Sequence, residues 1–214
     1  MRKLFSIIFM IMLGGCMGGN RRDLVASGVT WNVPEKGNFE FDNSKYIKMK
    51  NMACQEIGLE FYQDEKKAQD GNVLVNAGIL NNWENISDKN SLSINIDGQI
   101  ESFDAADYIT EHQQQQFSYG IGVGERKFSN RKFILPEKTV RNAAAAKKLY
   151  VRLYLINNDF IDGRCSPMSL EEWKSISAPS DVEHVNQETL DYMNSLTAIN
   201  GFKEFVTMMN NTKW

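Results

Sequence analysis

Within residues 149–156 (LYVRLYLI), two kinds of side chain alternate from position 149 to position 155. Aliphatic residues occupy the odd positions from 149 to 155, while Tyr150, Arg152 and Tyr154 occupy even positions. Successive side chains of a strand point to opposite faces of a sheet, so a period of two predicts a strand. We expect its aliphatic side chains to face the core and its even positions to form an amphipathic face.

A second alternating run, at residues 92–103 (LSINIDGQIESF), contains an Asp-Gly pair at 97–98 that is typical of a hairpin turn. A two-residue turn would pair Ile96 with Gln99, whereas a three-residue loop with a glycine bulge would pair Ile96 with Ile100. We expect the three-residue loop, because it places both isoleucines on one face and a slip of one residue reverses every side chain.

Helix signals lie between and after these strands. Asp104 fits an N-cap for a helix over residues 105–116, and the four alanines within residues 139–148 favour another helix. Shorter strand signals lie at residues 39–41 and at residues 73–80, the latter with a bulge expected at its glycine.

The C-terminal part of the chain is predicted to be helical. Ser169 and Glu172 match a capping box, in which each side chain bonds the backbone N–H of the other residue. Asn200-Gly201 is expected to stop or kink the tail helix. The spacing i, i+3, i+4, i+7 of a core-facing helix is met by apolar residues at positions 202, 205, 206 and 209.

Strand patterns dominate up to about residue 165, and helical patterns follow. This order favours the α+β class, with an antiparallel β-sheet, sandwich-like or single, packed against C-terminal helices. A chain of 214 residues with 42% hydrophobic content suits a globular protein and excludes disorder, collagen and coiled coil. The net charge of −3 argues against general nucleic-acid binding, which usually needs a strongly basic face.

The N-terminus carries a targeting pattern. Arg2 and Lys3 precede an apolar run at residues 4–13, which ends in Leu-Gly-Gly-Cys at residues 13–16. Ten helical residues span about 15 Å, roughly half of a bilayer core, so a secretory signal fits better than a membrane-spanning helix.

This order of positive charge, apolar run, leucine, two small residues and cysteine resembles the bacterial lipoprotein signal over residues 1–16. The resemblance implies that residues 1–15 are a signal peptide and that Cys16 is acylated, which anchors the chain in membrane lipid of the cell envelope. Because Met17 rather than aspartate follows, the outer membrane is favoured where the source has two membranes. Residues 16–30 are then the lipidated N-terminus and a flexible tether, and residues 31–214 a single α+β domain.

With Cys16 acylated, Cys54 and Cys165 remain as an even pair. Outside the cytoplasm such a pair predicts a disulfide bond, here closing a loop of about 110 residues. The alternative is two separate buried thiols. Neither cysteine has the surroundings of a catalytic nucleophile or a zinc site.

Other candidate motifs are weak. The glycines at 120–124 follow GxGxG and suit a strand better than a phosphate loop. Residues 117–132 are expected to return to a strand. Ser129 and Lys132 satisfy SxxK without the accompanying motifs, and a solvated basic loop that also covers Arg126 and Lys127 is the other interpretation of this segment. Residues 157–163 carry oxygen ligands without the EF-hand spacing, which favours a turn.

His112, expected on a helix surface, and His184, expected in a polar linker, belong to no catalytic constellation. We therefore predict no catalytic residue, no cofactor and no metal site. Tyr150, Arg152 and Tyr154 are the candidates for a binding surface, because Tyr and Arg are favoured at interface hot spots. The same residues would serve equally well beneath a covering helix.

The leading hypothesis is a non-enzymatic, membrane-anchored envelope lipoprotein that binds another envelope protein or supports an assembly. One alternative is an envelope hydrolase acting on cell-wall or lipid material through a scattered site. Another is an exclusion or immunity lipoprotein.

Overall fold

The computed structural model describes residues 31–119, 122–176 and 186–214, which contain ten strands and five helices. The predicted signal peptide, Cys16 and the predicted tether lie outside this part of the chain. The strands are β1 Val33–Asn38, β2 Lys45–Cys54, β3 Ile57–Asp64, β4 Asn72–Leu80, β5 Leu92–Ile96, β6 Gln99–Phe103, β7 Glu111–Tyr119, β8 Gly122–Pro136, β9 Leu149–Tyr154 and β10 Phe160–Arg164. The helices are α1 Glu65–Gln69, α2 Glu137–Ala145, α3 Leu170–Ile176, α4 Gln187–Ser195 and α5 Ala198–Asn211.

The strands form two antiparallel sheets, which confirms the predicted α+β class. The six-stranded sheet has the order β1-β2-β3-β4-β8-β7, and the four-stranded sheet has the order β10-β9-β5-β6. Buried side chains of both sheets and of helices α2 and α5 form one contiguous hydrophobic core. In it, the ring of Phe61 on β3 meets Phe202 and Phe205 of α5 edge-on, with centroids 4.6 and 5.3 Å away.

Strand β9 agrees with its predicted pattern. Leu149, Val151 and Leu153 are buried in the core, and the even positions 150–154 are half-buried on the other face. Helix α2 confirms the helix expected within residues 139–148, although it begins and ends earlier.

The β5–β6 hairpin corrects the predicted register. Its turn has two residues, so Ile96 pairs with Gln99 and Ile100 falls on the opposite face, where it is 67% exposed. Asp97 and Gly98 both have positive φ, 52° and 97°, as a type I′ turn requires. The expected three-residue loop is therefore wrong.

The Asp97 side chain is fixed by a distant part of the chain, which the hairpin sequence does not contain. Its carboxylate accepts hydrogen bonds from the backbone N–H groups of Lys147 and Lys148, with Oδ1–N distances of 3.0 and 2.7 Å. These backbone hydrogen bonds lower the pKa of Asp97, and the bond from Lys148 has the largest effect. The turn is thus held by the segment between α2 and β9.

The helix expected over residues 105–116 is absent from the described chain, and β7 takes its C-terminal part. Strand β7 pairs with β8 from Glu111–Asn130 to Tyr119–Gly122, so a long backbone ladder outweighs a weak local helix propensity. The carboxylate of Asp104 accepts from the backbone N–H of Asn90 at 2.8 Å instead of capping a helix.

Two smaller strand predictions are also wrong. Residues 39–41 lie in and beside a turn, and Phe41 is fully exposed. The register passes through Gly78 without a bulge, and a Cβ there would lie 2.7 Å from the carbonyl oxygen of Ser129. The bulge lies in β2, where Asn51 has a φ of 56°.

The C-terminal helices confirm the capping box and correct the predicted break. Ser169 Oγ accepts from the backbone N–H of Glu172 at 3.1 Å, and Glu172 Oε2 accepts from that of Ser169 at 3.0 Å. Helix α5 runs through Gly201, where a Cβ would lie 2.7 Å from the Met52 side chain. The glycine therefore allows α5 to approach β2 closely, and the break falls earlier, at Leu196.

The structure joins Cys54 and Cys165 by a disulfide bond, as the sequence predicted, with an S–S distance of 2.02 Å. Cys54 ends β2 of the six-stranded sheet, and Cys165 follows β10 of the four-stranded sheet. The bond therefore links the two sheets, and both cysteines are fully buried. Within the described ranges, every helix is too short or too polar to cross a membrane.

Candidate functional site

The four-stranded sheet has one face towards the core and a second face that carries the predicted surface residues. On this second face Arg152 lies between Ser93 and Asp162, the residues opposite it on the two neighbouring strands. We call this side of the sheet the outer face; it comprises Ser93, Asn95, Ile100, Ser102, Tyr150, Arg152, Tyr154, Phe160, Asp162 and Arg164.

A charged and aromatic cluster occupies the centre of the outer face. The guanidinium of Arg152 donates to both carboxylate oxygens of Asp162, from Nε at 2.6 Å and from Nη2 at 2.7 Å. It also lies over the ring of Phe160, 3.8 Å from the centroid. The hydrogen bond to Asp162 raises the pKa of Arg152, so this side chain stays charged. Pairing and stacking hold the guanidinium in one orientation, which lowers the entropy that a partner must remove on binding.

A second cationic contact continues the cluster towards the disulfide bond. The guanidinium of Arg164 lies 5.7 Å from the ring centroid of Tyr150, and its Nη2 donates to Glu172 at the start of α3. The backbone N–H of Arg164 donates to Gln55 Oε1 at 3.0 Å. Since Cys165 is the next residue, this end of the outer face is tied to the six-stranded sheet.

Tyr150, Arg152 and Tyr154 are each half-buried, and two of their neighbours on the outer face are exposed. Phe160 is 45% exposed and Ile100 67% exposed, so no described helix covers these two positions. Arginine and aromatic side chains beside exposed apolar ones have the composition of interface hot spots. The arrangement can bind an apolar and polar surface of another protein.

The structure also brings Ser129 and His112 into contact, which the sequence did not predict. Ser129 Oγ lies 3.0 Å from His112 Nδ1, but this serine is fully buried. Its hydroxyl donates to the carbonyl of Asn82 and accepts from the backbone N–H of Glu84. The hydroxyl proton is therefore donated to a backbone carbonyl. Through these hydrogen bonds Ser129 anchors the loop after β4, and it is not placed as an accessible nucleophile. His112 extends this anchor through its Nε2, 3.2 Å from Asn85 Oδ1.

Residues 122–132 belong to β8, which agrees with the strand predicted for residues 117–132. The alternative of a solvated basic loop at residues 126–132 is therefore wrong. Ser129 and Lys132 are three positions apart in a strand, so they point to opposite faces and cannot act together. His112 lies on β7 and not on a helix, while His184 falls outside the described residues.

Arg131 is the main polar residue that sequence reasoning missed. Its side chain is 2% exposed and donates from Nε to Asp107 Oδ1 at 2.7 Å and from Nη1 to Asp88 Oδ1 at 2.9 Å. It also donates to the backbone carbonyls of Ile86 and Asp107. The sequence did contain a signal for this position. Ser129, Phe133 and Leu135 alternate on the core face of the strand, and the same alternation places Arg131 on that face.

The remaining sequence candidates have structural roles. The turn expected over residues 157–163 forms only at its start, where Asn157 Oδ1 accepts from the backbone N–H of Asp159. Residues 160–163 belong to β10, and Asp162 accepts from Arg152. Gly122 and Gly124 lie in β8, with residues 120–121 outside the described chain. In the ranges that the structure covers, no three His, Cys, Asp or Glu side chains are arranged to hold a metal ion.

Comparison of the chain with protein-family models, with curated proteins and with solved structures found no match. The N-terminal sequence pattern and the chemistry of the outer face are therefore the features of the chain that bear on its function.

Proposed function

We propose that the protein is a lipid-anchored lipoprotein of the cell envelope, which binds another envelope protein through the outer face and is not an enzyme. The observation that carries the binding proposal is the oriented Arg152 guanidinium, stacked on the half-exposed ring of Phe160 at 3.8 Å. The order of charge, apolar run and Cys16 in residues 1–16 supports the anchor.

The anchor predicts that Cys16→Ser moves the chain out of the membrane. The wild-type chain is expected in the detergent phase of a Triton X-114 partition, and the variant, fused to a general secretory signal that is cleaved, in the aqueous phase. Several acyl chains at about 0.8 kcal/mol per buried methylene provide the stable attachment that the variant lacks. N-terminal mass spectrometry shows whether cleavage occurred.

Met17→Asp is the matched control for the anchor. It keeps Cys16 and is expected to stay in the detergent phase, while its membrane changes from outer to inner in a source with two membranes. A cleaved Cys16→Ser chain that still partitions with detergent would rule out lipid anchoring.

The outer face predicts that Arg152→Ala weakens partner binding by about 2 kcal/mol or more, roughly 30-fold. The free energy of unfolding is expected to change by only about 0.2–1 kcal/mol, because the Arg152–Asp162 pair is solvent-exposed. The partner is first captured by crosslinking whole envelopes and identified by mass spectrometry. Affinity is then measured with purified proteins.

Lys48→Ala is the control, because it removes a half-buried ion pair with Glu60 from the six-stranded sheet. It is expected to leave partner affinity unchanged. An equal loss of affinity in both variants, or full affinity in Arg152→Ala, would exclude the outer face as the binding site.

No specific observation favours either alternative function, the envelope hydrolase or the exclusion or immunity lipoprotein. An envelope hydrolase needs an accessible nucleophile beside a base, and Ser129 beside His112 is buried and committed. An exclusion or immunity lipoprotein would use the same outer face, and the identity of the captured partner separates it from an assembly role.

A further inference from the structure

Strand β6 ends the four-stranded sheet and pairs with β5 alone. Because Ile96 and Gln99 close a two-residue turn, Gln99, Glu101 and Phe103 direct their backbone groups towards β5. The N–H and C=O groups of Ile100 and Ser102 therefore point away from the sheet. Across the described parts of the chain, no backbone or side-chain group bonds to these four groups.

The β6 edge lacks most of the features that normally prevent strand addition. Such features include proline, lysine, inward-pointing charges, bulges and covering chain segments. Strand β1 contains Pro34 and Lys36, and at the edge of β10 the N–H of Arg164 is taken by Gln55. In β6 there is no proline, lysine or bulge, and the exposed Ile100 lies beside the open edge. The one protective feature is the charge of Glu101, whose carboxylate accepts a hydrogen bond from Thr139.

The edge of the other sheet, β7, is less suited to this role. Its side chains at residues 111–114 are Glu, His and two Gln, all exposed and polar. An added strand there would gain backbone hydrogen bonds but no apolar contact from this segment, whereas β6 provides Ile100.

A second copy of this chain fits the β6 edge poorly. If two copies pair their β6 strands antiparallel and use all four free backbone groups, Ile100 of one copy lies opposite Ser102 of the other. This register places Glu101 of one copy directly opposite Glu101 of the other. Two like charges directly opposite each other destabilise a sheet. Thr139 Oγ1 donates to Glu101 Oε2 at 2.6 Å, which holds the carboxylate on the core side of the strand.

We propose that β6 is a docking edge for an extended segment of a different protein, which adds as a fifth strand to the four-stranded sheet. The segment hydrogen-bonds Ile100 and Ser102, places an apolar side chain beside Ile100, and carries Lys or Arg opposite Glu101. Backbone bonds supply affinity and alternate side chains supply specificity, as in other strand additions. This inference rests on the proposed protein-binding function and names the chemistry of the partner.

The test uses the full chain in detergent micelles and a fluorescent octapeptide of alternating valine and threonine with one central lysine. Fluorescence anisotropy is expected to show saturable binding to the wild-type protein. Replacing the peptide lysine by glutamate is expected to weaken binding at least tenfold. In Ser102→Pro, which removes an outward N–H, binding of the lysine peptide is expected to fall at least tenfold.

Two further variants separate docking from folding. Ser102→Thr keeps both the N–H and the hydroxyl, so its affinity for the peptide should equal that of the wild type. Glu101→Lys should reverse the preference and favour the glutamate peptide, a result that misfolding does not produce.

Three outcomes would overturn the proposal: no binding to the wild type, equal binding to Ser102→Pro, or a wild-type dimer that Ser102→Pro dissociates. Failure of the octapeptide while Arg152-dependent capture of an envelope partner persists would leave the proposed function standing. Peptide binding without such capture would contradict the proposed function alone.

Discussion

Cys54→Ala combined with Cys165→Ala is expected to lower the free energy of unfolding by up to about 4.7 kcal/mol. The bond spans 111 positions of the chain, so the unfolded state gains a large loop-closure entropy when the bond is absent. The loss also has a structural side, because this bond links β2 of one sheet to the end of β10 in the other. Guanidinium-induced unfolding of the full chain measures the effect.

Chemical reduction provides the control for this prediction. Reducing agent is expected to destabilise the wild-type protein by a similar amount and to leave the double variant unchanged. Alanine is chosen because both cysteines are buried, where a serine hydroxyl would add its own desolvation cost. A change below about 1 kcal/mol in both the reduced wild type and the double variant would contradict the prediction.

Arg131→Met is expected to destabilise the protein by about 3–5 kcal/mol. The substitution retains most of the apolar volume but leaves the Asp107 carboxylate and the Ile86 carbonyl without their guanidinium partner. The Asp107 side chain is only 19% exposed, so its unpaired charge is largely desolvated. Because these contacts hold the segment between β6 and β7, amide exchange at residues 104–110 should accelerate most.

Lys132→Met is the matched control, on the next residue of the same strand. Lys132 also forms an ion pair, with Glu111, but its side chain is 44% exposed and faces away from the core. Its replacement is expected to cost less than about 1 kcal/mol. Equal effects at the two positions would show that burial of Arg131 does not decide its contribution.

Local periodicity correctly predicted those helices and strands whose buried side chains follow the alternation of apolar and polar residues in the sequence. Strand β9 buries the side chains that its spacing assigned to the core, and α5 buries Phe202, Phe205 and Met209 of its predicted stripe, while Val206 is only partly buried. The capping box of Ser169 and Glu172 formed as expected, since both partners lie within one helical turn. These patterns repeat every two to four positions along the chain and need no information from the rest of the fold.

The predictions were wrong where two local conformations were possible and contacts with a distant segment stabilised one of them. Residues 111–116 have side chains compatible with a helix, yet pairing with β8 makes them a strand. The hairpin sequence allowed two turns, and Asp97 is held in the shorter one by backbone N–H groups some fifty positions away. Neither partner is visible in the local sequence.

The sequence by itself predicted the α+β class, the Cys54–Cys165 disulfide bond and the two faces of β9, because these follow from residue order, oxidation chemistry and side-chain alternation. Only the tertiary structure decided that Phe160 and Ile100 of the outer face are exposed, that Arg131 lies within the core, and that β6 leaves Ile100 and Ser102 with unpaired backbone groups among the described residues. The physical reason is that burial and hydrogen bonding depend on which segments of the chain contact each other. The order of strands in the sheets brings together segments that are far apart in the sequence, and no local sequence pattern encodes those contacts.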